Sequence, residues 1–139
     1  MARRLVVEAD AGSRGDPRGA AYGAVLRDAQ TGEVLNVEAR PLGIATDGVA
    51  ECSGLIAGLE MARAVDPDAA VEVRMDSRVV VDQLTGNGRV VRPEQAPLAQ
   101  RARELYPSAR ITWTWVPREQ NAAAALVDAA LDGHPRTRR

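Results

Sequence analysis

Arg3-Arg4-Leu5-Val6-Val7-Glu8-Ala9-Asp10 runs directly into Ala11-Gly12-Ser13-Arg14-Gly15-Asp16-Pro17. The first stretch reads as a strand over residues 3–9 that closes on an acid, and the glycine and proline after it predict a loop over residues 11–20. Two further strands are expected at 22–28 and 33–40, with Ala29-Gln30-Thr31-Gly32 supplying a hairpin turn between them. Next comes a helix over 47–65, capped by Thr46 or Asp47, with Leu55, Ile56, Leu59 and Ala62 as an apolar stripe. Residues 70–75 form a short strand, and 77–84 a short helix broken by Gly86-Asn87-Gly88. A helix over 93–106 has Pro93 near its first turn. Over 110–116, Ile111, Trp113 and Trp115 alternate with Thr112 and Thr114, as a strand requires. The last helix, 121–132, is alanine-rich and stops at Gly133. Residues 134–139 are expected to be a disordered tail or linker stub outside a single domain of 1–133.

Three hairpin-linked strands followed by right-handed crossovers give an α/β domain. Its mixed five-stranded sheet has the order 3-2-1-4-5, with helices on both faces and strands 1, 4 and 5 parallel. A length of 139 residues suits one domain with a real core. With no Phe, that core must be built from Val, Leu, Ile and Ala. One cysteine, Cys52, excludes an internal disulfide and a cysteine-rich metal site. No apolar run approaches the roughly 20 residues of a membrane span. The start is too short and too soon acidic for a signal peptide. A cytoplasmic monomer without a membrane partner is therefore expected. The net charge of −1 provides no basic bias, so composition alone does not point to nucleic acid.

The chemistry is expected at the carboxyl ends of the parallel strands, where open α/β sheets gather their ligands. Asp10 closes the first strand and Asp76 the fourth. Neighbouring strands lie about 4.8 Å apart, so both carboxylates can reach one ion. Glu51 sits early in the helix that crosses them. Three converging carboxylates repel one another unless a cation is present. Oxygen-only donors select a hard ion, Mg²⁺ or Mn²⁺, and a pair of such ions suits phosphoryl transfer. Taken singly, each acid also has a structural reading, as a helix cap or a partner of the helix dipole.

The motifs around these acids resemble those of type 1 ribonuclease H. Glu8-Ala9-Asp10-Ala11-Gly12-Ser13-Arg14-Gly15-Asp16-Pro17 is similar to the family's opening (E/T)-D-G-G-S-R-G-N-P-G. Ala21-Tyr22-Gly23-Ala24-Val25 resembles its second strand, and Thr46-Asp47-Gly48-Val49-Ala50-Glu51 its T-N-N-V-A-E. Met75-Asp76-Ser77 resembles M-D-S, and Trp115-Val116-Pro117-Arg118-Glu119-Gln120-Asn121 the W-V-P-R-x-x-N before the last helix, as in actinobacterial and archaeal-like members. The resemblance covers residues 4–132 in order. It implies an endonuclease that hydrolyses the RNA strand of an RNA–DNA hybrid. Asp10, Glu51 and Asp76 would be catalytic ligands of two divalent ions, Mg²⁺ or Mn²⁺. Gly12, Ser13, Arg14, Asp16, Asp47 and Arg118 would lie along the substrate.

The sequence departs from the family at four places. The last helix has Ala125 where the family carries its fourth acidic ligand; Asp128, three residues on, is either its replacement or a solvated helix residue. Asp47 and Gly48 replace two asparagines, and Asp16 a third, so carboxylates stand where amides would donate. Gly86 to Arg92 lacks an aromatic, and no basic protrusion is present, which leaves Arg14, Arg89, Arg92 and Arg118 as phosphate contacts. His134 matches no family position, and Cys52 reads as a small buried residue. The competing reading is a weakened or silent domain that only binds nucleic acid or a partner protein. A third is a fusion domain of a longer enzyme, since related actinobacterial domains are joined to a phosphatase.

Overall fold

Residues 3–15, 19–77, 80 and 93–139 are described by a computed structural model. The alternation of its first strand, β1 (Arg4–Arg14), sets the layers. Leu5, Val7 and Ala9 enter the main core on one face, so Val6, Glu8 and Asp10 take the other. Around β1 lie β2 (Gly19–Asp28), β3 (Val34–Ile44), β4 (Ala70–Met75) and β5 (Ile111–Trp115), in the order β3-β2-β1-β4-β5. The hairpin pairs are antiparallel; β1–β4 and β4–β5 are parallel, as the crossovers require.

The helix α1 (Asp47–Val65) starts where Thr46 Oγ1 accepts the Val49 N–H at 3.2 Å. With α2 (Ala96–Leu105) it covers the main core of Leu26, Leu55, Leu59, Met61, Val73 and Tyr106. On the opposite face α3 (Ala123–Leu131) packs Val127 and Ala130 on Ala21 and Ala39. Two glycines bring α1 down onto β1. A Cβ on Gly58 would collide with Val7 Cγ1, and one on Gly54 would fall 3.1 Å from the Asp10 carbonyl oxygen. This close approach carries the start of α1 over the end of the parallel strands. No described helix is long and apolar enough to cross a membrane.

The structure differs from the sequence expectation in several places, among them β3, which runs on to Ile44 instead of ending at 40, and the helix expected from 93, which starts at Ala96. The loop foreseen over 11–20 is mostly strand, because β1 and β2 stay paired as far as Arg14↔Gly19. Their small residues match the ladder and leave room for α3: a Cβ on Gly12 would lie 3.2 Å from Val127 Cγ1. The last helix begins two residues late, after a 3₁₀ turn at Arg118–Gln120; Asn121 Oδ1 accepts the Ala123 N–H at 2.9 Å and takes the capping role. The tail expected to be without structure instead runs beside β3. Arg136 and Ala39 exchange two backbone hydrogen bonds, of 2.8 and 2.9 Å. Most of the helix foreseen over 77–84 and the break at Gly86-Asn87-Gly88 lie outside the described residues, as do Arg89 and Arg92.

Candidate active site

The parallel strands β1 and β4 part company at the place the sequence singles out. Their last matched pair is Glu8↔Arg74, so Asp10 and Asp76 each stand two residues beyond it. Asp10 does not end its strand, for it still pairs with Gly23 of β2, but it sits where β1 peels away from β4. Its side chain is nearly inaccessible, at 2% exposure, and Oδ2 accepts a 3.0 Å hydrogen bond from Arg118 Nε. Burial, and then the charge of Asp76, push the Asp10 carboxyl up to about 6, against the pull of Arg118.

Glu51 comes in from α1. Burial raises it above the usual carboxylate range, and Asp76, Asp47 and Asp10 add to the rise. The Ser77 hydroxyl opposes that by donating to Glu51 Oε2 at 2.7 Å. Around Asp76 the backbone is tied to β5, since its carbonyl accepts from Trp115 Nε1 at 3.0 Å and the Val116 N–H donates to Met75 O at 3.0 Å. Asp10, Glu51 and Asp76 thus lie within each other's electrostatic reach, as the strand ends predict.

The last helix contributes as well. Arg118 Nη2 donates to Asp128 Oδ1 at 2.8 Å and to the Ala124 carbonyl at 3.3 Å. One guanidinium therefore links Asp128 to Asp10, while Ala125 is exposed. Among the described residues no three Asp, Glu, His or Cys side chains close around a common point as a metal shell would. The donors nevertheless fit a hard divalent ion in kind. They are all carboxylate oxygens, the charge of Asp76 adds to the upward shift of both Asp10 and Glu51, and the positive charge beside Asp10 comes from a surface arginine.

The residues expected along the substrate fare unequally. Gly12 lies beneath α3. Ser13 is half-buried in β1 opposite Ala20. Arg14 pairs with Asp132 and lies 3.8 Å from Asp128. Asp47 is exposed as the first residue of α1, and Asp16 lies outside the described residues. Gln95, which the sequence did not flag, is 4% exposed, and its Oε1 has no hydrogen-bond partner among the described residues. Its amide fills the space a side chain at position 48 would take, at the start of α1. The glycine in place of asparagine at 48 is the one hint in the sequence that something else occupies that space.

Comparison with known proteins bears on the fold and the family. A family model described as reverse transcriptase-like matches residues 8–129. The bifunctional protein Rv2228c of Mycobacterium tuberculosis is 42% identical over 131 residues, covering 93% of this chain and 36% of its own length. The chain thus spans about a third of the mycobacterial relatives it matches. A ribonuclease HI of Halobacterium salinarum is 40% identical over 126 residues, with 88% of this chain and 62% of the relative covered. Among solved structures, the N-terminal RNase H domain of Rv2228c superposes with a TM-score of 0.85 at 40% identity, over 96% of both chains. LC11-RNase H1 in complex with an RNA/DNA hybrid does so at 0.80 and 34% identity, covering 93% of this chain and 97% of the other.

Proposed function

The chain belongs to the reverse transcriptase-like family and, within it, to the type 1 ribonuclease H domains, and from that premise we propose that it hydrolyses the RNA strand of RNA–DNA hybrids. The observation that supports the reading is that Asp10, Glu51 and Asp76 lie within electrostatic reach of one another where β1 and β4 separate. Helix caps would not bring acids from three separate elements so close that the charge of Asp76 adds to the rise of both Asp10 and Glu51. A related enzyme of the same fold has been solved with an RNA/DNA hybrid bound.

Asp10, Glu51 and Asp76 are the residues to hold Mg²⁺ or Mn²⁺, with Asp128 as the fourth carboxylate. When bound, a pair of such ions supplies an activated water and charge neutralisation at the leaving oxygen. The protein supplies the rest. Ser77 orients the Glu51 carboxylate by its 2.7 Å hydrogen bond. The indole of Trp115 and the backbone of Val116 fix the chain at Asp76, so that this carboxylate keeps its place as substrate arrives.

Incubation with a hybrid carrying a labelled RNA strand, alongside labelled single-stranded RNA, double-stranded RNA and double-stranded DNA, tests the substrate assignment. Cleavage of RNA in the hybrid alone, in Mg²⁺ or Mn²⁺ and abolished by chelation, is the expected result. Equal cutting of single-stranded RNA, or none of the hybrid in either metal, would overturn it.

A further inference from the structure

Arg118 stands in an unusual position for a residue expected on the substrate path. Its Nε donates to Asp10 Oδ2 at 3.0 Å and its Nη2 to Asp128 Oδ1 at 2.8 Å. These two nitrogens form one edge of the guanidinium, the edge that ordinarily takes both oxygens of a single carboxylate. Here two different carboxylates share it, one from β1 and one from α3, and both are drawn to the same side of the cation. Two carboxylates turned toward one positive centre are also what a divalent ion gathers.

Building on the metal-site reading above, we propose that Arg118 is the resident counter-cation of this site, bridging Asp10 and Asp128 until a divalent ion displaces it. Asp10 has little alternative compensation. It is 2% exposed, and Arg118 is its only cationic partner among the described residues. The guanidinium is poised to leave. Its side chain is 42% exposed, and it stems from a short 3₁₀ turn after Pro117, so withdrawal needs only side-chain rotation. One positive charge set against two carboxylates compensates less than two positive charges do, which gives a divalent ion the advantage. The bridge also accounts for Asp128, held by the guanidinium toward Asp10 although it lies three residues past Ala125. Arg14, which contacts Asp132 and Asp128, remains to neutralise the outer end of α3 when Arg118 departs.

The test is a calorimetric titration of the 139-residue protein with Mn²⁺ and no substrate, comparing wild type with Arg118→Ala, Arg118→Gln and Arg118→Lys. Removing a cation that competes for the same carboxylates should tighten Mn²⁺ binding by about tenfold in Arg118→Ala and Arg118→Gln. Arg118→Lys should return most of the way to wild type, because it restores the charge. Without metal, the two neutral variants should melt below wild type, since Asp10 loses its partner. The glutamine variant keeps the test intact if the alanine variant does not fold. An Mn²⁺ affinity in Arg118→Gln equal to or weaker than wild type overturns the proposal. Wild-type binding that Asp10→Asn abolishes would leave the metal site standing in that case, whereas no Mn²⁺ binding to any variant would remove both readings.

Discussion

A carboxylate that is almost wholly buried and shifted to about 6 is a destabilising group in the metal-free protein, and Asp10 is one. The ordinary aspartate value is near 3.8, so between about pH 4 and 6 the folded state binds a proton that the unfolded chain does not. Stability without metal should therefore fall as pH rises through that window, and return on acidification. Asp10→Asn removes the ionisable group while keeping its shape. In chelator the variant should exceed wild type by roughly 2 kcal/mol at pH 7.5 and lose most of that margin near pH 4, as read from urea midpoints. A margin independent of pH would contradict the buried-charge account. Other residues differed in how far the sequence revealed them. Cys52 read as small and buried, and it is 2% exposed with its thiol pushed up to about 11 by burial and then by Glu51. Gln95 carried no such signal, because its importance comes from a contact with Gly48 across 47 positions and not from any local pattern.

Elements set by local chemistry were legible, and those set by distant partners were not. The bounds of α1 and β4 follow from a cap, an apolar stripe and a valine alternation, all contained within the segments themselves. The extension of β1 and β2 was hidden because Gly12, Ser13 and Ala20 have weak strand preference, and pairing across the hairpin decides them. The tail was hidden for the same reason, since an arginine-rich end looks solvated until its acceptor is known. That acceptor is Glu38, 2% exposed, which accepts from Arg138 Nε at 2.7 Å and from the Tyr22 hydroxyl at 2.6 Å. Burial pushes Glu38 up, but these hydrogen bonds outweigh it and hold its pKa below the usual value. Arg138→Ala should thus cost about 2 kcal/mol by urea denaturation, and Glu38→Gln in that background should recover part of it. An unchanged midpoint would mean the tail rests on β3 without stabilising it. On α3, the exposure of Ala125 and the Arg118 bridge favour Asp128 as the fourth carboxylate. Asp128→Ala should lose hybrid cleavage by at least about tenfold at limiting Mn²⁺ and regain much of it at high Mn²⁺. The same rate as wild type at every Mn²⁺ concentration would make Asp128 a bystander.

At the scale of the molecule, the order of the elements was enough to place Asp10 and Asp76 side by side. Parallel strands joined by crossovers put their carboxyl ends together whatever the details of the loops. The sequence did not reveal how the site stays together without metal, because the answer is an arginine on one element joining acids on two others. With a net charge of −1 the domain has little long-range attraction for a polyanion, so recognition must come from contacts made at the site. The central claim is that the carboxylates at the parting of β1 and β4 cut RNA. It is tested most directly by the rate at which a labelled RNA strand in a hybrid is cleaved by Asp10→Asn and by Asp76→Asn, each checked by circular dichroism to be folded, against wild type at the same metal concentration. The account predicts that both variants lose cleavage by about a thousandfold or more, the scale expected when a ligand of the reacting centre is removed. Wild-type cleavage by either folded variant would contradict it.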